Sequence, residues 1–236
     1  MRTIAKTENR PVHASKWVRR AGVVWVACLL LAGGACGTQR KSRGQRETPG
    51  GFDYYVLALS WAPAFCAHET ANRGSRECTS NRDMGFVVHG LWPEHDTGGP
   101  LENCVPVGPL AREIVQQMLP VMPDAGLIRH EWRIHGSCSG LSAEEYFATV
   151  RRASEKIRVP ESYRALQRAL ETSPWEIERR FAGVNRLRGA SSIRVQCREG
   201  ELREVRICLT KDLQPRPCSR SMRDCRAGEL FMRPIQ

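Results

Sequence analysis

A set of eight cysteines behind an export signature constrains this sequence more than any other feature. The chain holds ten cysteines in 236 residues. Residues 21–32 (AGVVWVACLLLA) form a charge-free apolar run behind Arg19 and Arg20 and ahead of Gly33, Gly34 and Ala35. A run of this length is too short for a bilayer, which takes about 20 residues. A basic start, an apolar middle and a small-residue exit describe a cleaved export signal over residues 1–35. Cys28 falls inside that segment and Cys36 directly follows it. Cys66, Cys78, Cys104, Cys138, Cys197, Cys208, Cys218 and Cys225 remain. An even number in an exported, periplasmic or secreted chain predicts a disulfide framework. Spacing alone leaves the connectivity open. A thiolate metal site is the weaker reading, because no C-x-x-C pair occurs.

Cys36 also resembles the lipidated cysteine of the bacterial lipoprotein cleavage box, although Gly33 stands where that box usually has Leu. A membrane anchor through a lipidated Cys36 is the alternative to a free mature chain. Residues 36–51 are polar and basic and read as a flexible linker, leaving 52–236 as a single domain. The whole chain carries 36 Lys and Arg against 25 Asp and Glu. Six of those bases and one acid belong to the first 35 residues, so the rest keeps an excess of +6. Such a surplus suits a polyanionic partner but says nothing of the chemistry.

Residues 52–61 (FDYYVLALSW) are aromatic and branched and stop before Pro63, which predicts a buried strand. Residues 86–89, 192–197 and 204–210 predict further strands, the last two alternating apolar and polar. A helix is expected over 110–119, ending before Pro120. Ser142 and Glu145 form a capping box, with Leu141 and Tyr146 as a hydrophobic staple, so a second helix should run to about residue 155. Ser173, Pro174 and Glu176 give a third helix start, with Glu176 reaching back to the cap. Strands and helices without regular βαβ alternation predict an α+β domain, its mostly antiparallel sheet flanked by helices.

Five histidines remain after the leader: His68, His89, His95, His130 and His135. In residues 85–94 (GFVVHGLWPE), His89 closes an apolar strand, Gly90 permits close backbone approach and Trp92 with Pro93 supplies an aromatic wall. In residues 130–138 (HEWRIHGSC), Glu131 and His135 are spaced i, i+4 and share a helical face, so the carboxylate can contact the imidazole or a group it holds. A zinc-protease reading requires His-Glu-x-x-His. Here His130 and His135 are five apart, about 500° of turn, and diverge by roughly 140°. No Gly-x-Ser-x-Gly nucleophile elbow occurs either.

Together these segments resemble the ribonuclease T2 family. Ser60-Trp61-x-Pro63-x-Phe65-Cys66, His89-Gly90-Leu91-Trp92-Pro93, His130-Glu131-Trp132 and His135-Gly136-Ser137-Cys138 carry the resemblance, with the C-terminal cysteines, from about residue 52 to 225. It implies a ribonuclease T2-like α+β domain that cleaves RNA with little base specificity and no cofactor or metal. The products are 2′,3′-cyclic phosphate and then 3′-phosphate ends. RNA supplies its own 2′-hydroxyl nucleophile, so a base and an acid suffice, and imidazole titrates in the right range. By position His89 is implied as the base, His135 as the acid, and Glu131 as a stabiliser of the transition state. His130 is implied as a phosphate contact and Trp92 as lining the base-binding cleft, while the residues alone read Trp92 equally well as core. The resemblance also implies the pairs Cys66–Cys78, Cys104–Cys138, Cys208–Cys218 and Cys197–Cys225.

The family usually places Lys directly before the second catalytic histidine, and this chain has Ile134 there. Arg133 is adjacent, but one helical step turns its side chain by about 100°, so it binds substrate only by bending back. RNA is the expected partner, with the chain a monomer without a stable protein partner. Two other readings stand beside this one: a catalytically weak RNA-binding or toxin-like module of the same fold, and a metal hydrolase built on three histidines.

Overall fold

A computed structural model describes residues 48–68, 76–79, 84–187 and 189–235. The expected export signal, Cys36 and most of the expected linker lie outside these residues. The linker's final residues are held in place: the Gly50 N–H donates to the Cys138 carbonyl at 2.9 Å, and Lys211 Nζ donates to the Gly50 carbonyl at 3.3 Å. Gly50 has a φ of +82°, which glycine adopts without steric cost.

Strand β1 (Tyr54–Trp61) alternates strictly. Tyr55, Leu57, Leu59 and Trp61 enter the main core, whereas Tyr54, Val56 and Ala58 belong to a smaller cluster on the other face. Helices α1 (Ala62–His68) and α2 (Arg76–Thr79) follow, then β2 (Phe86–Glu94). The strand expected to end at His89 continues to Glu94. It accommodates Pro93 because β2 is an edge strand paired only with β1 within the sheet order.

Helix α3 (Arg112–Met118) lies inside the expected span. Asp124 caps α4 (Ala125–Ile134) by accepting the Leu127 N–H at 2.9 Å. Helix α5 (Ala143–Lys156) opens on the reciprocal Ser142–Glu145 box, which stabilises a helix start by about 1 kcal/mol. Short elements α6 (Glu161–Arg164) and β3 (Leu170–Thr172) precede α7 (Pro174–Val184). Ser173 Oγ caps α7 by accepting the Glu176 N–H, but the carboxylate of Glu176 does not reach back as expected. Arg179 and Arg180, at i+3 and i+4, take it at 2.8 and 2.6 Å instead. Strands β4 (Ile193–Arg198) and β5 (Glu201–Leu209) form a hairpin turned by Glu199 and Gly200, both at positive φ. Strand β6 (Leu230–Met232) completes the sheet.

The strands lie in the order β2-β1-β5-β6-β3, with β4 paired to β5 off that path. All pairings are antiparallel except one parallel contact between β5 and β6. This is the expected α+β architecture. Leu57, Leu59, Val205 and Ile207 pack with Tyr146 and Val150 of α5 and Ile177 and Phe181 of α7 in one core. Burying each such side chain contributes about 1.5–3 kcal/mol. The opposite sheet face keeps only Tyr54, Val56, Ala58, Trp92, Cys208 and Cys218 in its cluster, leaving room for polar groups.

Disulfides join Cys66 to Cys78, Cys104 to Cys138, Cys197 to Cys225 and Cys208 to Cys218. The second ties the segment after β2 to the turn that follows α4.

Candidate active site

The site starts from an irregularity in β2. Ala58 pairs with Gly90 and Leu59 with Val88, so His89 is an extra residue in the ladder, a β-bulge. Residues three apart on a regular strand face opposite ways, and a bulge cancels that by shifting the alternation by one. Val88 and Leu91 thus both enter the main core, while His89 and Trp92 meet on the other face with ring centroids 5.2 Å apart. Strand β5 supplies two more groups to that face. Glu204 is in register with Ser60 and Arg206 with Ala58, while Val205 and Ile207 point into the core.

Helix α4 brings Glu131 against this surface, where it is 1% exposed. Its approach depends on Gly90, because a β-carbon there would lie 2.1 Å from Glu131 Oε2. Trp92 Nε1 donates to Oε2 at 2.8 Å, and Oε1 lies 3.5 Å from His89 Nε2. The other ring nitrogen of His89, Nδ1, is 2.6 Å from Glu204 Oε1.

His135 caps the C-terminal end of α4 and is buried, its ring 5.3 Å from that of Trp92. Its Nδ1 lies 3.1 Å from the Leu101 carbonyl. A carbonyl only accepts, so Nδ1 carries the hydrogen and Nε2 of the neutral ring keeps its lone pair. The carboxylate of Glu131 does not bond this imidazole, as the i, i+4 spacing had allowed. Only the backbone links the two, His135 N–H to Glu131 carbonyl at 3.0 Å, because the side chain of His135 turns to Leu101.

These partners set opposite electrostatics for the two histidines. For His89, burial alone would lower the imidazole, but the Glu204 hydrogen bond and charge, with the charge of Glu131, overcome it and hold the group above its ordinary value. Glu204 is the counterpart: burial raises it, yet His89 and Arg206 hold it down at about 2. Burial pushes His135 down to about 4, against the modest support of the Leu101 carbonyl. Burial also pushes Glu131 up to about 7, opposed by His89 and the Trp92 hydrogen bond. The pattern runs against the roles implied from position, in which His89 is the base and His135 the acid. A histidine between two carboxylates favours its charged form, and one bonded to a carbonyl in dry surroundings favours its neutral form.

Trp92, expected to line the base-binding cleft, is 5% exposed and makes its polar contact with Glu131. It separates and orients the imidazoles and does not offer an open stacking face. His130 and Arg133 make none of the hydrogen bonds just described, although His130 and His89 act on each other through their charges. With Arg129, Trp132 and Leu110 they line a hollow of about 510 Å³ beside α4. His130 is held below its ordinary value by burial and then by the charges of Arg133 and His89. Among the described residues no three His, Cys, Asp or Glu side chains are grouped to hold a metal ion, and no helix is long and apolar enough to cross a membrane.

Sequence reasoning missed Glu204 and Arg206. Their signal was faint: two charges at i, i+2 on the polar face of a strand otherwise rich in branched residues, a pattern shared by any half-exposed strand.

The fold, and the comparisons with known proteins, define the class as RNA-cleaving enzymes. The sequence profile of the Ribonuclease T2 family matches residues 52–218. A ribonuclease of Aeromonas hydrophila is 36% identical over 165 residues, covering 69% of this chain and 74% of its own. A probable ribonuclease of Haemophilus influenzae is 35% identical over 120 residues, covering 46% and 44%. The fold is similar to that of an RNase-related protein from Calystegia sepium, with a TM-score of 0.62, 22% identity and coverage of 78% of this chain and 98% of that one. The chain belongs to the ribonuclease T2 family and is an endoribonuclease.

Proposed function

We propose that the protein cuts single-stranded RNA outside the cytoplasm by metal-independent transphosphorylation, with His135 as the base and His89 as the acid. The observation that carries this reading is the unequal partnering of the two imidazoles on either edge of Trp92. His135 Nε2, left with a lone pair by the Leu101 contact, takes the proton of the 2′-hydroxyl as that oxygen attacks the phosphorus. The P–O5′ bond breaks, and His89, charged between Glu204 and Glu131, delivers its proton to the departing oxygen. A 2′,3′-cyclic phosphate results. Water then replaces the leaving group with the two histidines exchanging roles, giving the 3′-phosphate. Glu131 faces His89 Nε2 and holds it toward the reacting phosphate. An extracytoplasmic location is supported by the disulfide set and the leader sequence, and low base preference by the absence of an open stacking face on Trp92.

Digestion of RNA by the mature chain in excess EDTA tests the reading. Full cleavage is expected. Cleavage lost in EDTA and restored by a divalent metal points instead to a metal hydrolase, and RNA binding with no cleavage in any buffer points to a binding module.

A further inference from the structure

Arg206 is the one charged group of the site to which the acid–base steps assign no part. Its guanidinium lies over the Trp92 ring, 4.8 Å from the centroid. Its Nε donates to Glu204 Oε2 at 2.7 Å, and no hydrogen bond from its two terminal nitrogens appears among the described residues. The side chain is 26% exposed, so an open edge remains for a ligand. A guanidinium edge of this kind suits an anion. One carboxylate serves two cations, with Oε1 on His89 and Oε2 on Arg206. Glu131, the second carboxylate of the site, is turned to His89 Nε2 and Trp92 Nε1, so Glu204 alone among the described residues pairs with Arg206, and the terminal nitrogens keep an open cationic edge. Arg194, a second cation directly opposite on β4, is drawn off by Asp224 and by the carbonyls of Ser191 and Ile193. The residue of α4 directly before His135 is the uncharged Ile134.

We infer that Arg206 is a further catalytic residue, whose free guanidinium edge binds the non-bridging oxygens of the scissile phosphate and stabilises the extra negative charge of the phosphorane. The inference rests on the proposed function. A planar fork suits two phosphate oxygens, and Trp92 with Glu204 fixes its plane before substrate arrives, so little reorganisation accompanies the reaction. The charge that Arg206 meets is greater in the transition state than in the ground state, so its loss falls on kcat more than on KM.

Arg206→Gln tests this. The plateau kcat on single-stranded RNA is expected to fall by about 10²-fold, the range seen when one oxyanion donor is removed, with KM changed by less than about threefold if binding of the ground state is little affected. Ile134→Lys added to Arg206→Gln sets a cation beside His135 and is expected to restore part of that kcat. If Arg206→Gln does not fold, Arg206→Met keeps an unbranched stem over Trp92 and serves the same test. A purely positioning role, exerted through Glu204 on His89, gives a different result: the alkaline limb of the pH profile moves while the plateau stays. That outcome, or a plateau kcat within twofold of the unaltered protein, overturns the inference and leaves the proposed function standing. An unaltered protein that leaves RNA intact overturns both.

Discussion

His89 Nδ1 and Glu204 Oε1 lie 2.6 Å apart across two strands that are not neighbours, since β1 runs between them. The bulge at His89 makes the contact by turning the ring over β1 toward β5. Glu204 thereby sets the protonation of the histidine, and the pH profile reports it. The base must be neutral, so kcat/KM should rise with pH through about 4 as His135 loses its proton. The acid must be charged, so kcat/KM should fall through the pKa of His89, above its ordinary 6.5. Glu204→Gln removes the anion that favours the imidazolium, so the alkaline limb should move to lower pH. An alkaline limb that stays in place in this variant contradicts the assignment.

His89→Ala and His135→Ala should each lower kcat at least 10²-fold, the usual range for a lost acid or base. Because both groups act in one step, the double variant should lose far less than the product of the two single losses. Steady-state kinetics on folded variants decide it, and a His135→Ala protein that cuts RNA at near-normal rate removes His135 from the mechanism.

Gly90→Ala should displace Glu131, because the new methyl group would lie 2.1 Å from its Oε2. Overpacking of this kind costs about 1–3 kcal/mol of stability. Activity should fall at least 10-fold, the scale of lost positioning. In a Glu131→Ala background the same change should cost less, since only the contact of the new methyl group with Trp92 Nε1, at 2.6 Å, is left. Equal effects in both backgrounds would show that Gly90 acts through something other than Glu131.

Much of this was legible in the sequence, and the reasons differ by element. β1 was visible because aromatic and branched residues follow one another almost without a break and stop before Pro63. The start of α5 was visible because a capping box is a local signal. β2 was read too short, since a bulge followed by Gly90 and Pro93 looks like a strand end when no partner strand is in view. The histidines were found because imidazole beside Trp and Gly is chemically conspicuous. Their electrostatics were not, because the partners that set them, Glu204 and the Leu101 carbonyl, lie 115 and 34 residues away in the chain. Long-range pairing of that kind leaves no periodic trace.

Replacing Cys104 and Cys138 by Ala opens a loop with a sequence separation of 34. The loss should be about 3–4 kcal/mol, measured as a shift in the denaturant midpoint. Activity should fall with it, because the Leu101 carbonyl that orients His135 lies three residues before Cys104. Unchanged kcat in the folded variant would show that this disulfide does not hold the base in place.

The most direct measurement follows the phosphorus. The mature protein is given single-stranded RNA in excess EDTA, and the ends are observed by phosphorus NMR, alongside an oligomer with one 2′-deoxy position. The account predicts a 2′,3′-cyclic phosphate signal that appears first and decays to 3′-phosphate, with no cut on the 3′ side of the 2′-deoxy nucleotide. Ends bearing 5′-phosphate, or cleavage at the 2′-deoxy position, would contradict it, because either outcome means that water and not the 2′-oxygen attacks first.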